Sequence, residues 1–394
     1  MTLKEFRVQR LTQAAQEAGA DLVVASLPAN VKYISGYFSI NTDVLQRTES
    51  YALFRPADGA VSIVGSIAEL PSIVEEAGMD ADVYCYGSFK FAGVEGHPLT
   101  ELLAKTQATR NFGTLPAALA AAIRASGAKR VAFDENRCCI TNWNAVVKAC
   151  PAAEIFPGSS VFMKARLVKH QEEIAGVERA TEIAEAALAA ALKDFKPGMT
   201  ELDLQHTYQM ELARHDAKPL FFVATASHRA AYSDTKNTDL AIQLGDIIRF
   251  DYGCVWNGYN SDLARTAVVG RPDEKTARYF EAVRRGTHDA IAAIKPGITA
   301  EQVFETAMQS TRQNGIPHYE RHHCGHGIGV ECYDYPSVAP GDTTPLVEGM
   351  VLNVETPYYE LGWGGVQMEN TVVVTKDGCR YLDKSGDALI VLEV

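Results

Sequence analysis

The stretch HHCGHGIGVE, residues 322–331, puts three histidines and a cysteine into five positions, with glycines at 325, 327 and 329. That density suits a metal site, a catalytic base, or a thiol–histidine pair built on Cys324. It also suits a glycine-rich turn with incidental polar residues. Four carboxylates elsewhere sharpen the question. Asp251 and Asp262 lie 11 residues apart on either side of Asn257-Gly258, a strong hairpin signal. Glu355 and Glu369 each interrupt an apolar, strand-like run (MVLNVE and VQMENTVVV). A strand interior is a poor place for an unpaired carboxylate. Two readings stand: structural or solvated acids, or acids neutralised by divalent cations. Carboxylates with one imidazole suit manganese, cobalt, iron or zinc. Two such ions sharing bridging carboxylates and a water would lower that water's pKa and polarise a scissile carbonyl. The thiol–histidine idea is weaker, because Cys324 has neither an oxyanion glycine pattern nor a third partner.

The elements that must hold these residues come in two blocks. Over the first 155 or so residues, DLVVAS (21–26), SYALFRP (50–56), AVSIVGS (60–66), ADVYCY (81–86) and RVAFDE (130–135) read as strands. The alanine-rich 117–126 reads as a helix between them, which predicts an α/β domain. The N-terminal stretch reads as an amphipathic helix with Phe6, Leu11, Ala14 and Ala15 on or near one face. Residues 156–166 (FPGSSVFMKAR) read as a linker.

A long helix over roughly 170–195 follows, with Ile174, Val177, Ala184, Leu188 and Leu192 as its apolar stripe. Lys196-Pro197-Gly198 ends it, and Thr200 with Asp203 has the spacing of a reciprocal helix cap. The same grammar returns 99 residues later: helix 277–294, then Lys295-Pro296-Gly297, then Thr299 with Gln302. Each copy precedes another helix and two strand-like segments, as expected of a domain built from two similar halves.

Composition narrows the class. A net charge of −12 over 394 residues, with no dense Lys/Arg run, argues against nucleic-acid binding. The N-terminus lacks the features of a signal peptide, and no apolar run reaches membrane-spanning length. The eight cysteines include no CxxC pair and form no regular framework, which predicts reduced thiols and a cytoplasmic setting.

DYG followed by GYNSD, then GHGIG, then the glutamates of VETP and MENT, give the chain a recognisable signature. It resembles the pita-bread metallopeptidases: prolidase, Xaa-Pro aminopeptidase, methionine aminopeptidase and their metal-free relative creatinase. The resemblance covers about residues 165–394; the N-terminal part fits the prolidase/creatinase branch in size and position. It implies an α/β N-terminal domain over 1–160 and an α+β pita-bread catalytic domain over 161–394 with an internal pseudo-twofold repeat. The family's five metal ligands fall on Asp251, Asp262, His326, Glu355 and Glu369. The resemblance makes Asp251 bidentate to one of two divalent ions and lets Asp262 and Glu369 bridge both. His326 and Glu355 complete the shells, and Glu355 also handles the proton of the bridging water.

Around that set the chain departs from the family. Asp234 stands where a histidine usually lies 17 residues before the first aspartate. Tyr333 replaces a histidine seven residues after the ligand histidine, and Gln367 an arginine two residues before the last glutamate. His322 matches the histidine that proline-specific members often carry. The resemblance implies hydrolysis of short peptides, as in an Xaa-Pro dipeptidase or aminopeptidase, by a metal-bridging hydroxide attacking the amide carbonyl. His322 and Tyr333 would position or stabilise the substrate oxygen, and Asp234 could receive an α-amine. The replaced histidines motivate an alternative, a creatinase- or ectoine-hydrolase-like enzyme acting on a small non-peptide amide or amidine. A homodimer is also implied, with Phe38 and Arg47 where relatives extend a loop toward the partner's site. His228 could stand in for a missing histidine, Trp363 reads as a pocket-rim residue, and His323 and Cys324 read as structural.

Overall fold

Local sequence chemistry sets the ends of many helices in the computed structural model, which describes residues 1–45 and 49–393. The Thr2 hydroxyl accepts from the Glu5 amide while the Glu5 side chain accepts from the Thr2 amide, starting helix Leu3–Glu17. That helix buries Leu11, Ala14 and Ala15. The five expected strands form: β1 (Leu22–Ala25), β2 (Tyr51–Arg55), β3 (Ala60–Ser66), β4 (Asp82–Tyr86) and β5 (Arg130–Phe133). A sixth, β6 (Glu154–Pro157), joins them in a mixed sheet of order β4-β3-β2-β1-β5-β6. Helix Leu115–Ser126 covers one face with Ala118, Leu119, Ala122 and Ile123, packed near Val24, Leu53 and Phe133.

The linker expected at 156–166 is not one. Its first residues end β6, and Ser159–Arg166 is a helix that buries Val161, Phe162 and Ala165. Its cap comes from a distance: Glu135 accepts from the amides of Gly158 and Ser159, each at 3.0 Å. The proline–glycine–serine run looked like a break because that partner lies outside the local sequence. The chain divides into two compact units, Met1–Arg166 and Leu167–Val394.

The second unit is built twice over. Helix Gln171–Lys193 is followed by helix Glu201–Arg214, and helix Glu274–Ala293 by helix Ala300–Gln313. Thr200 with Asp203 and Thr299 with Gln302 both form the reciprocal cap expected of them. The repeat extends to the backbone. Gly198 N–H donates to Ile242 at 2.7 Å and Gly297 N–H to Leu346 at 2.9 Å, while Thr200 bridges Ala241 and Thr299 bridges Pro345. Both glycines hold nearly the same left-handed-side conformation, φ +94° and +95°, which explains why each KPG ends in glycine.

The strands of this unit are β7 (Lys218–Ala226), β8 (Ile247–Trp256), β9 (Tyr259–Asn260), β10 (Leu263–Val269), β11 (Gly325–Gly327), β12 (Asp334–Ser337), β13 (Val351–Glu355), β14 (Tyr358–Glu360), β15 (Gly364–Val366) and β16 (Glu369–Val374). The main path of the large sheet runs β12-β11-β13-β16-β10-β8-β7, so the two repeats meet where β16 pairs with β10. Each half packs its helices on its own strands. One core joins Ala184, Leu188, Leu204 and Tyr208 to Phe250 and Leu263. The other joins Val283, Ile291, Val303 and Ala307 to Leu352 and Val372. Among the described residues no helix is long and apolar enough to cross a membrane.

Candidate metal centre

Strand register assembles the site. Asp251 on β8 pairs with Ala264 on β10, Ala264 with Glu369 on β16, and Glu369 with Glu355 on β13. Residues opposite one another in a ladder share a face, so three carboxylates stand in one row, with only a methyl group between the first two. Asp262, two residues before Ala264, joins them. Donor atoms of Asp262, His326 and Glu369 lie within 4.8 Å of one another, and His326 Nε2 is 3.6 Å from Asp262 Oδ2. His326 sits on β11 opposite Asn353. A Cβ on Gly325 would come within 2.0 Å of the Asn353 carbonyl oxygen, and one on Gly327 within 2.1 Å of the Tyr335 carbonyl oxygen. Glycine on both sides is what lets β11 lie this close to its neighbours.

The acids are crowded and dry: Asp262 is 4% exposed, Glu355 6% and Glu369 2%. Burial, then the charge of Asp251, holds the Asp262 carboxyl well above the usual range. Burial and the charges of Asp262, Glu355 and Asp251 do the same to Glu369. Burial pushes Glu355 up to about 7, against the pull of Arg321. Asp251 is also raised by burial, although Arg249 opposes the shift. Burial drives His326 down to about 4, leaving a neutral imidazole, and its Nδ1 lies 2.9 Å from the Gly327 carbonyl. Asp262 Oδ1 is buried without a hydrogen-bond partner. Mutually repelling carboxylates, a neutral imidazole and an orphaned carboxylate oxygen together form a donor set suited to divalent cations.

Supporting residues orient these donors, and the sequence reading missed several of them. Arg249, fully buried, donates to Gln367 Oε1 at 2.8 Å and lies 3.3 Å from Asp251. It also donates to the carbonyls of Ala230, Tyr232 and Ser233. A charged residue two positions before Asp251 in an apolar strand was the available signal. Gln367, where relatives often carry arginine, donates to Asp251 at 3.2 Å and to Glu355 at 3.3 Å. Asn353 donates to Glu369 Oε1 at 3.1 Å, and Thr371 donates to Asn353 at 3.0 Å. The Cys332 thiol donates to Asp262 Oδ2 at 3.1 Å. The guanidinium groups of Arg249 and Arg321 both approach the Tyr359 ring, 5.2 Å and 5.6 Å from its centre.

The histidine cluster divides differently from the expectation. His323, read as structural, places Nδ1 3.3 Å from Glu355 Oε1, and burial pushes its pKa down to about 4. His322, expected at the substrate oxygen, is exposed and packs edge-on against His323 at 4.5 Å. It lines an open cavity of about 710 Å³ with Phe304, Met308, Arg312 and Arg321. The fixed spacing from His326 pointed to His322, but the bend of the chain before β11 turns its neighbour inward. Tyr333 is 66% exposed, yet its ring stacks on His326 with centroids 3.9 Å apart. Asp234 is exposed, and its charge reaches Asp251 and raises it further.

The remaining residues fall elsewhere. Cys324 is buried, with its thiol pushed up to about 12 by burial, which disfavours the nucleophile reading. Trp363 joins the hairpin β14–β15 and packs on helix Glu274–Ala293, 5.5 Å from the Tyr279 ring and under Lys275 Nζ at 4.5 Å. Exposed His228 packs against Tyr232. Phe38 belongs to the first unit, its amide donating to Glu76; Arg47 lies outside the described residues.

Both units have known relatives. Residues 175–376 match metallopeptidase family M24, and residues 7–168 match the creatinase/prolidase N-terminal domain. The Xaa-Pro dipeptidase of Pyrococcus furiosus is 36% identical over 227 residues, which cover 57% of this chain and 65% of that protein. The match thus spans just under two thirds of that relative's length. The Xaa-Pro dipeptidase of Lactobacillus helveticus is 27% identical over 397 residues, covering 99% of this chain and all of that one. The prolidase structure from Pyrococcus horikoshii OT3 aligns with a TM-score of 0.80 at 26% identity, covering 98% and 99% of the two chains. The expected pita-bread fold with a creatinase-type N-terminal domain is therefore the observed one, and with more than half its length matched the chain belongs to metallopeptidase family M24.

Proposed function

We propose that this chain is an Xaa-Pro dipeptidase-like hydrolase of short peptides, holding two divalent metal ions with Asp251, Asp262, His326, Glu355 and Glu369. The row of carboxylates across β8, β16 and β13, closed by Asp262 and His326, carries the proposal. Relatives named Xaa-Pro dipeptidase at 36% and 27% identity support the substrate class. Manganese, cobalt, zinc and iron all suit such donors. When bound, the ions would acidify a water and polarise the scissile carbonyl.

The chain's own groups do the rest. Glu355 takes a proton from the attacking water and returns it to the leaving amine. His323, neutral at working pH, orients Glu355. Tyr333 offers a phenolic hydrogen to the developing oxyanion from above His326. Exposed Asp234 receives the cationic α-amine of the peptide, on a segment fixed by the bonds from Arg249 to the Tyr232 and Ser233 carbonyls. His322 contacts the outer part of the substrate. The protein works as a cytoplasmic homodimer; free thiols at all eight cysteines agree with a reducing setting.

The test is turnover of Xaa-Pro dipeptides, other dipeptides, longer peptides and small linear or cyclic amides by chelated protein reloaded with each metal. Metal-dependent release of proline from dipeptides is expected. Turnover of a non-peptide amide with none of any peptide would overturn the proposal.

A further inference from the structure

Two guanidinium groups border the site, and they are used differently. Arg249 donates to Gln367 and to the carbonyls of Ala230, Tyr232 and Ser233. Arg321 is half-buried, and its Nε is buried with no hydrogen-bond partner. Among the described residues no acceptor or carboxylate pairs with its guanidinium. It approaches the Tyr359 ring, 5.6 Å from its centre, and lines the open cavity of about 710 Å³ with Phe304, Met308, Arg312 and His322. Arg312 is already tied to the Tyr319 carbonyl at 2.8 Å. Glu305 and Glu320 also line the cavity, but both are exposed and neither pairs with Arg321. Taking guanidinium donors out of water without giving them acceptors is unfavourable, so this fork is set for an anion from outside the chain.

Two charges give the site a direction. Asp234 acts on Asp251 in the first half of the sheet. Arg321 acts on Glu355 in the second half, more strongly than any other charge there. A peptide with its α-amine at Asp234 brings its leaving residue toward Glu355 and Arg321. We propose that Arg321 is a specificity-determining residue that receives a carboxylate on that leaving residue, either the C-terminal carboxylate of a dipeptide or an acidic side chain. The inference rests on the peptidase reading of the preceding section. An extended residue spans about 3.3–3.6 Å, so a C-terminal carboxylate lies within one residue's length of the amine that Glu355 protonates. The planar fork of an arginine matches the two oxygens of a carboxylate. The bound carboxylate supplies the acceptors that the protein withholds. A longer peptide or an amide puts a neutral carbonyl in its place and leaves the cation uncompensated.

Steady-state kinetics of the metal-loaded protein test this with alanyl-proline, its C-terminal amide, and the amides of alanyl-glutamate and alanyl-glutamine. Wild-type kcat/KM should be on the order of 10²-fold higher for alanyl-proline than for its amide, mostly through KM. In Arg321→Met that ratio should fall to near unity by loss on the acid alone. Arg321→Lys should recover part of it, keeping the charge without the fork. A preference for the glutamate over the glutamine compound that vanishes in Arg321→Met would identify a side-chain carboxylate as the ligand. An acid–amide preference confined to alanyl-proline identifies the terminal one. Absence of both preferences in the wild-type protein, or their survival in Arg321→Met, would overturn the role of Arg321 and leave the peptidase reading intact. An equal loss on every substrate would make Arg321 a structural residue, with the same consequence. No turnover of any peptide by the wild-type protein would overturn both.

Discussion

The two halves of the catalytic unit share a plan and differ at a few register positions. In the first half Arg249 pairs with Thr225 on one side and Thr266 on the other. In the second half Asn353 takes the same place, between His326 and Thr371. Asp251 in the first half faces Ala264, whereas Glu355 in the second faces Glu369. The first half thus sets a fixed guanidinium beside its carboxylate. The second sets a hydrogen-bonded amide and an imidazole whose Nε2 remains available. The two repeats supply matched halves of one sheet, and the differences at matched positions make one half a charge-balanced wall and the other a donor-rich one. Ala264 keeps the space between them open.

The largest expected effect tests whether both walls reach the metal. Asp251→Asn and Glu355→Gln should each lower kcat/KM by on the order of 10³-fold, with reduced metal content measured by elemental analysis. Full metal loading and near-normal turnover in Asp251→Asn would assign the chemistry to the second half alone.

Next comes the cost of each wall's central residue. Arg249→Met leaves Asp251 without its buried cation and strips bonds from three carbonyls, so it should destabilise the protein by about 3–5 kcal/mol. Asn353→Leu leaves the Glu369 carboxylate oxygen, the Asp262 carbonyl and the Thr371 hydroxyl short of one bond each, for about 1–3 kcal/mol. Urea unfolding of both variants under chelation decides this, and the opposite order would mean that the second half carries the greater electrostatic burden.

A pH comparison sharpens the same contrast. Burial raises Glu355 from its ordinary 4.5 to about 7. A carboxyl raised on folding binds its proton more tightly in the native state, so ionising it destabilises the fold. That loss begins as pH rises above about 4.5 and is complete above about 7. Chelated Glu355→Gln should therefore gain stability relative to the wild-type protein between about pH 5 and about pH 8, by on the order of 3 kcal/mol, read from thermal melts across that range. Bound metal should abolish the difference in slope. A parallel pair of curves in the chelated proteins would show that other charges already offset Glu355.

These contrasts mark where the sequence was legible. The capped helices, the Asn257-Gly258 hairpin and the four acids are local signals, readable within a dozen residues. The pairing of β10 with β16 joins segments more than 100 residues apart, and no local pattern sets such a register. The inward turn of His323 rather than His322 depends on β11 packing against β13. Cys332 carried no signal, because only the return of the chain past His326 brings its sulfur to Asp262. Helix Ser159–Arg166 was misread for the same reason, since Glu135 caps it from outside the segment.

The smallest effect probes what the halves retained in common. Thr200 and Thr299 make the same cap, each accepting from an amide three residues on while that residue's side chain accepts from the threonine amide. Thr200→Ala and Thr299→Ala should each cost about 1 kcal/mol. Thr200 also donates its hydroxyl to Asp203 at 2.8 Å, whereas Thr299 caps with Gln302, which carries no charge to interact with the helix dipole. The first cap should therefore be the stronger by a few tenths of a kcal/mol at low salt, with the gap closing as salt screens Asp203. The two helices belong to separate cores, so the double variant should cost the sum of the singles. A clear departure from additivity would show that the two caps are energetically coupled through the sheet the halves share at β10 and β16.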